Sequence, residues 1–510
     1  MIRRRTLFAA GAALTTLAVA GCSGDDSGTG TGSGAGANTT LTLGSIVQCS
    51  SFAAKDARWA NESFYMQAVY DTLLRANPDG SVAAGLATKW EWSADKMTLT
   101  LTLRDDVKFT DGTAFNAEAA AQNLIRFRDG ASPNKSLLRS VADAKASDAK
   151  TVAITMKQPD PALLIALTQN AGLQESPAAF TASDLQTKPV GSGPYVLDTA
   201  KTVVGTEYYF TKNAAYWDAA NRHFDNLVIK VYNDPTALLN AAKSGQINGS
   251  NTINLTTLKE YEASGWTLTS HELNWLGLLL LDRDGKMNPA MKDVRVRQAI
   301  NYAFDTESLL KAYGNGQGKV TRQIFPPSSK AFDSALDSYY KYDPAKAKSL
   351  LAEAGFGSGL SLKMPQSALL GATVFTLLGQ QLKDVGINVE FTQTSDYIPD
   401  MLAPKYPAAF MILQQDPDWA LVNFQIGPAA TFNPFKCSDD KINGFMDKMV
   451  KGTDAEAAQA AKDLNKYIVE QAWFAPWYRP SSVFVSDSTL SVTAQTGNAI
   501  PYLWNIKPKK

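Results

Sequence analysis

Apolar and polar residues follow two periods along this chain, and the periods sort it into strands and helices. Residues 40–47 alternate and predict a first strand. Thr98-Leu99-Thr100-Leu101-Thr102-Leu103 alternates without a break, so one face is buried and one solvated. It forms a predicted hairpin with Trp90-Glu91-Trp92, and further strands fall at 152–156, 196–197 and 208–210. Asn77-Pro78-Asp79-Gly80 is a turn. Helical spacing covers 63–74 and 117–128, the latter capped by Asn116. Pro159-Asp160-Pro161 opens a helix to Thr168, and the helix 236–244 stops at Gly245. Asp305 caps a short helix ending at Gly314, while Asp343-Pro344 opens another that Gly355 closes. Residues 374–391 read helix, glycine stop, strand, and 454–472 form a long Ala-rich helix. Such alternation in the second half predicts a second α/β lobe.

Between these halves lies 278–304. Leu278-Leu279-Leu280-Leu281 is an apolar run ended by Asp282, with the turn-forming Met287-Asn288-Pro289 beyond it. Val296, Ala299, Ile300, Ala303 and Phe304 then share one helical face. A buried strand, a short connection and a buried helix are ordinary α/β organisation.

Asp293-Val294-Arg295-Val296-Arg297-Gln298-Ala299-Ile300 resembles the signature of the peptide/nickel/oligosaccharide class (family 5) of ABC-transporter solute-binding proteins. Tyr70-Asp71-Thr72-Leu73-Leu74, Gly85-Leu86-Ala87, Trp90 and the run from Leu103 to Thr113 follow that family in order and spacing. Pro189-Val190-Gly191-Ser192-Gly193-Pro194-Tyr195 and Asn213-Ala214-Ala215-Tyr216-Trp217-Asp218 also match. The resemblance implies an α/β fold like a type II periplasmic binding protein: two lobes, a hinge, and an extra subdomain in the first lobe. The limits it suggests are 39–82, 188–281 and 479–510 for the first lobe, 83–187 for the subdomain and 282–478 for the second lobe. The chain would cross between lobes near Asp282, and closure on a solute would be the function.

Arg3-Arg4-Arg5, the apolar stretch 6–18 and Val19-Ala20-Gly21-Cys22 look like a lipoprotein signal peptide (1–21) with Cys22 as the lipidated residue. Residues 22–38 contain no large apolar side chain after Cys22 and read as a flexible tether. A lipid anchor on the extracytoplasmic face of the cell membrane is expected, with the body soluble.

Length 510, hydrophobic content of 45% and charged content of 19% describe a folded chain of two or three domains. Lys+Arg 49 against Asp+Glu 49 gives no electrostatic reason to bind nucleic acid, and loss of the leader leaves the body slightly acidic. With His223 and His271 the only histidines, a hydrolase triad or His-rich metal site has few possible members. No Gly-x-Ser-x-Gly or His-Glu-x-x-His occurs, so no enzyme and no cofactor is expected. The Gly-rich turn 189–195 is followed by strand signals, not by the helix a phosphate loop needs. The three cysteines are Cys22, Cys49 and Cys437, and the last two could pair in an oxidising compartment.

The richest ligand candidate is Phe410-Met411-Ile412-Leu413-Gln414-Gln415-Asp416-Pro417-Asp418-Trp419. In peptide-binding members of the family, an Asp three residues before an acidic-Pro pair holds the peptide amine; here that position is Leu413. Dipeptide binders of the family use a second-lobe Arg for the carboxylate, and no Arg stands between Arg322 and Arg479. A small organic solute, aromatic or an organic acid, is therefore expected in place of a zwitterionic peptide. Phe52, Trp275, Trp419, Phe432 and Trp477 are candidates to wall it, although an aromatic at Trp275 is more often core than ligand shelf. Gln414, Gln415, Asp416, Asn433 and Arg479 are candidates to hydrogen-bond it. Arg479 needs either a carboxylate ligand or a protein acid. The expected partners are the solute, an ABC permease with its ATPase and the membrane, with the protein a monomer. A di- or oligopeptide binder, and a surface lipoprotein that only binds proteins, stay open as alternatives.

Overall fold

The chain is described by a computed structural model over residues 39–509, except Ile253 and Pro417, with the backbone alone at Leu369. The signal peptide, Cys22 and the tether lie outside the described residues.

One sheet carries the molecule. Its strands are β1 (Thr40–Ser45), β2 (Tyr195–Leu197), β3 (Glu207–Lys212), β4 (Asn226–Val231), β5 (Gly249–Thr252), β6 (Thr267–Glu272), β7 (Asn274–Leu280), β8 (Gly318–Val320), β9 (Ala408–Gln414) and β10 (Phe474–Ser486). The order is β9-β7-β10-β5-β1-β4-β3-β2, with β6 and β8 also paired to β10. The thirteen-residue β10 spans both halves. Its first residues, Phe474–Tyr478, pair with β7, and Tyr478–Pro480 pair with β8. From Ser481 onward it pairs with β6, and from Val483 also with β5.

The hydrophobic cores divide the same way. The second-lobe core runs from Trp275 to Tyr478 and takes in all of Leu278, Leu279, Leu280 and Leu281. The first-lobe core gathers Leu41, Phe64, Tyr208, Leu227, Phe484 and Ile506. The second core begins at Trp275, within β7. The reason is pairing: β7 already bonds β9 along its whole length, from Asn274 opposite Gln414 to Leu280 opposite Ala408. Both faces of β7 are covered, which is why its sequence is apolar without alternation.

The helix after it is Val294–Tyr302, capped by the Asp293 carboxylate, which accepts from Arg295 N. Val296, Ala299, Ile300, Ala303 and Phe304 are all buried in the second core, as their spacing predicts. The subdomain is a four-stranded sheet ordered Ala87–Trp92, Thr98–Leu103, Thr151–Met156, Val141–Ala146. Leu99, Leu101 and Leu103 point into its core with the helix Ala117–Asp129, whose cap Asn116 accepts from Ala119 N.

Two helices are shorter than their patterns suggest. The first stops at Val69, because the residues beyond it enter a buried polar knot. Tyr70 OH donates to Phe52 O, while Asp71 accepts from Ser192 Oγ, Tyr216 OH and Trp217 Nε1. The helix after Pro161 is only Leu163–Ala166. Among the described residues, no helix is long and apolar enough to cross a membrane.

Candidate functional site

The C-terminal end of β9 gathers most of the polar candidates. Open α/β sheets bind ligands at the carboxyl ends of their strands. Here Gln414 Nε2 donates to Asp416 Oδ1 at 2.9 Å, tying the strand end to the loop after it. Gln415 N donates to Leu273 O at 2.9 Å, and its side-chain Nε2 donates to Ile324 O at 2.8 Å. Gln415 is buried, and its Oε1 has no hydrogen-bond partner among the described residues. Trp419 is half-buried, and its indole Nε1 is also enclosed without a partner among the described residues. Beside it Asp418 has a left-handed backbone, φ 39°, and its carboxylate accepts from Ser329 Oγ.

A π-helical turn, Val422–Ile426, backs this strand end. Such turns often stand at functional sites, because the extra residue re-aims a side chain. Here it delivers Gln425, which was not legible in the sequence. Its Oε1 accepts from Trp275 Nε1 and its Nε2 donates to Gln414 O, each at 2.9 Å. A polar residue inside an irregular turn leaves no periodic signal.

Asp416 is the electrostatic centre of the cluster. Its one hydrogen-bond donor is the Gln414 amide, and it forms no ion pair among the described residues. Burial pushes its carboxyl up to about 6, only partly offset by the Gln414 hydrogen bond.

The other candidates are placed elsewhere. Phe52 is sealed in the first-lobe core, edge-on to Tyr65, Tyr208 and Phe210. Trp477 packs against Phe304 and Phe410, with ring centres 5.0 and 5.2 Å away, deep in the second core. Trp275 is fully buried against Phe474, opposite Leu413 of β9, and its indole N–H donates to Gln425 Oε1. Phe432 is buried edge-on to Phe424 at 4.8 Å. Asn433 has its amide spent: Nδ2 donates to Ile426 O, Gly427 O and Cys437 O, and Oδ1 accepts from Arg283 Nη2 and Cys437 N. It clamps a loop and has no valence left for a solute.

Arg479 resolves to the protein-acid alternative. It is 2% exposed and bonds Glu272, Asp337 and Thr321. Sequence reading missed Glu272 and Asp337 because they lie far away in the chain. Cys49 and Cys437 are free and buried, one in each lobe's core, which corrects the pairing considered above. Packing in separate cores holds the two thiols apart. Both histidines are committed to backbone carbonyls: His223 Nε2 to Trp504 O at 3.2 Å and His271 Nε2 to Asn498 O at 2.7 Å.

Two lobes on a shared sheet, joined by the β6–β7 passage and by β10, define the fold of a type II periplasmic binding protein. The chain belongs to the bacterial extracellular solute-binding proteins of family 5, whose model of the middle region matches residues 81–431. Over 457 residues it is 28% identical to the glutathione-binding protein GsiB of Escherichia coli O1:K1 / APEC, covering 84% of this chain and 86% of that one. HbpA2 from Haemophilus parasuis superposes with a TM-score of 0.81 at 19% identity, covering 92% of this chain and all of that chain (100%). NikA from Brucella suis, solved in complex with Fe(III)-EDTA, gives 0.78 at 22% identity, with 92% and 100% covered. The protein is a solute-binding component of an ABC importer.

Proposed function

We propose that this protein captures a small organic solute at the C-terminal end of β9 and delivers it to a permease and its ATPase. It does so as a monomer held to the outer face of the cell membrane by a lipid on Cys22, and it performs no catalysis. The observation that carries the solute reading is the set of unspent polar groups at that strand end. Among the described residues, Gln415 Oε1 and Trp419 Nε1 are enclosed without partners, and Asp416 has no counter-ion. Enclosed polar groups without partners cost about 1–3 kcal/mol each, which a bound solute would recover. The lipid anchor rests on the sequence around Cys22.

A peptide cargo is the second reading, favoured by the likeness to a glutathione-binding protein across most of the chain. Against it stand Leu413, buried at the position of the family's amine-holding acid, and Arg479, already neutralised by two protein carboxylates.

Native mass spectrometry of protein purified without unfolding, followed by isothermal titration with peptides, organic acids, amines and sugars, tests this. One small molecule that raises the melting temperature by several degrees supports capture. A protein that only docks other proteins would show no such shift with any class.

A further inference from the structure

Resting on the reading of this chain as a solute-capturing protein, we infer that Glu272 and Arg479 form a clasp across the joint between the lobes. Glu272 is the positioning residue that holds the lobes in one arrangement. Strand pairing locates the joint. β6 pairs with β10 as far as Glu272 opposite Ser481, and β7 takes up β10 only from Leu276 opposite Tyr478. Between these ladders, Arg479 and Pro480 of β10 pair with neither β6 nor β7 among the described residues, and Pro480 has no N–H to offer. They pair instead with Lys319 and Gly318 of β8. Two crossing strands that lack mutual hydrogen bonds at one point bend most easily at that point.

The side chains restore across the joint what the backbones leave out. Arg479 Nε donates to Glu272, the last residue of β6. On the other side Nη1 donates to Thr321 Oγ1 at 2.6 Å, and Nη1 and Nη2 grip the two oxygens of Asp337. This second-lobe grip is braced. Asp337 Oδ1 also accepts from Thr321 Oγ1 at 2.7 Å and from Gln323 Nε2 at 2.9 Å. Gln323 Oε1 in turn accepts from Asn465 Nδ2 at 2.7 Å, in the long helix Asp454–Glu470. The first-lobe side is a single carboxylate: among the described residues, Glu272 is the one side chain of that lobe that bonds Arg479. Lys319 also reaches Glu272, at 3.2 Å, but it is exposed and such pairs contribute little. Arg479 is enclosed, where a charge-assisted hydrogen bond is strong. A rotation of the lobes therefore strains the bond to Glu272 and leaves the grip on Asp337 intact. Arg479 is committed to protein partners, so the clasp acts on solute capture through lobe geometry, by setting the fraction of molecules in the binding-competent arrangement.

The test uses the full-length protein, freed of solute by unfolding and refolding. Lys259 of the first lobe and Lys383 of the second, both exposed and on helices, are replaced by p-acetylphenylalanine. Ketone-directed spin labels there report the distance between lobes by pulsed electron paramagnetic resonance. We expect one narrow distance in the otherwise wild-type protein. Glu272→Gln should add a second distance or a broad tail, shifting the ratio of populations at least about tenfold. Glu272→Asp, which keeps the charge, should recover part of the narrow distribution, and Lys319→Gln should leave it unchanged. Arg479→Lys keeps the charge but loses the fork, so it should broaden the distance as well, and it serves as the check if Glu272→Gln folds poorly. A wild-type distance that is already broad, or an unchanged one in folded Glu272→Gln and Arg479→Lys, overturns the clasp. So does a change in Lys319→Gln as large as that in Glu272→Gln. Solute capture is judged separately, by mass spectrometry and titration, so either reading can fall while the other stands.

Discussion

Arg479 Nη1 and Nη2 donate to the two carboxylate oxygens of Asp337, at 3.0 and 2.9 Å, while its Nε reaches Glu272. Glu272 ends β6, where the chain leaves the first lobe; Arg479 lies in β10, where it returns; Asp337 belongs to the second lobe. One buried guanidinium thus ties both passages between lobes to the second lobe.

Removing that cation leaves Asp337 without its ion pair and Glu272 with only the exposed Lys319. Arg479→Met should cost about 3–5 kcal/mol of stability in urea unfolding. The pH dependence has a definite sign. Burial pushes the Asp337 carboxyl up, but the hydrogen bonds from Arg479, Thr321 and Gln323 outweigh it and leave it below the ordinary value. Its stabilisation is therefore complete above the unfolded carboxyl value of about 3.9 and is lost as pH falls through the lower folded value. Melting temperatures recorded downward from pH 5 should drop in the wild type; in Asp337→Asn that acid limb should be shallower.

Asp416 has the opposite sign. Its folded value, about 6, lies above the unfolded one, so the solute-free protein should lose stability as pH rises from about 4 to about 6. Asp416→Asn should remove this loss and melt higher than wild type at pH 7 without solute. Equal melting curves for the two proteins across that window would show that Asp416 is compensated in solution.

Trp477 separates packing from recognition. Enclosed by Phe304 and Phe410 and fully buried, it should cost about 3–5 kcal/mol on truncation to alanine. Trp477→Phe should keep solute affinity within about twofold by titration, because the ring is a core element. A large loss of affinity in a well-folded Trp477→Phe protein would return it to the binding site.

Gly277 marks the point where β7 shifts register against β10. Its φ of 152° is one that side chains rarely adopt, and a Cβ there would stand 2.3 Å from Ala475 O. Gly277→Ala should destabilise by about 2 kcal/mol or more, read as a lower urea midpoint.

Cys49 and Cys437 should both be silent to a thiol reagent in the native state. Both are buried, and burial pushes the Cys49 thiol well above its usual range. Mass spectrometry after iodoacetamide should show no label on either in buffer and label on both in denaturant.

Much of the fold was legible because it rests on local rules. The alternation of Thr98–Leu103 needs only the two-residue repeat of a strand, and it emerged with Leu99, Leu101 and Leu103 buried. Asn116, Asp293, Asp305 and Asp343 cap the helices they precede, because a short acceptor next to free N–H groups acts over three residues. At the candidate site, Gln414 and Asp416 are close in the chain and are hydrogen-bonded in the fold. The aromatic walls were less legible. Phe52, Trp477 and Phe432 are large apolar residues, and nothing in their types distinguishes a core from a cleft.

What the chain determined by itself was therefore its local grammar, its family pattern and the polar run 414–419, all set by interactions among residues a few positions apart. The tertiary structure decided the pairing of Arg479 with Asp337 and Glu272, the separation of Cys49 from Cys437, and the start of the second core at Trp275. Those depend on which distant segments meet on β10, and one strand's partners are chosen by global packing that no local window contains.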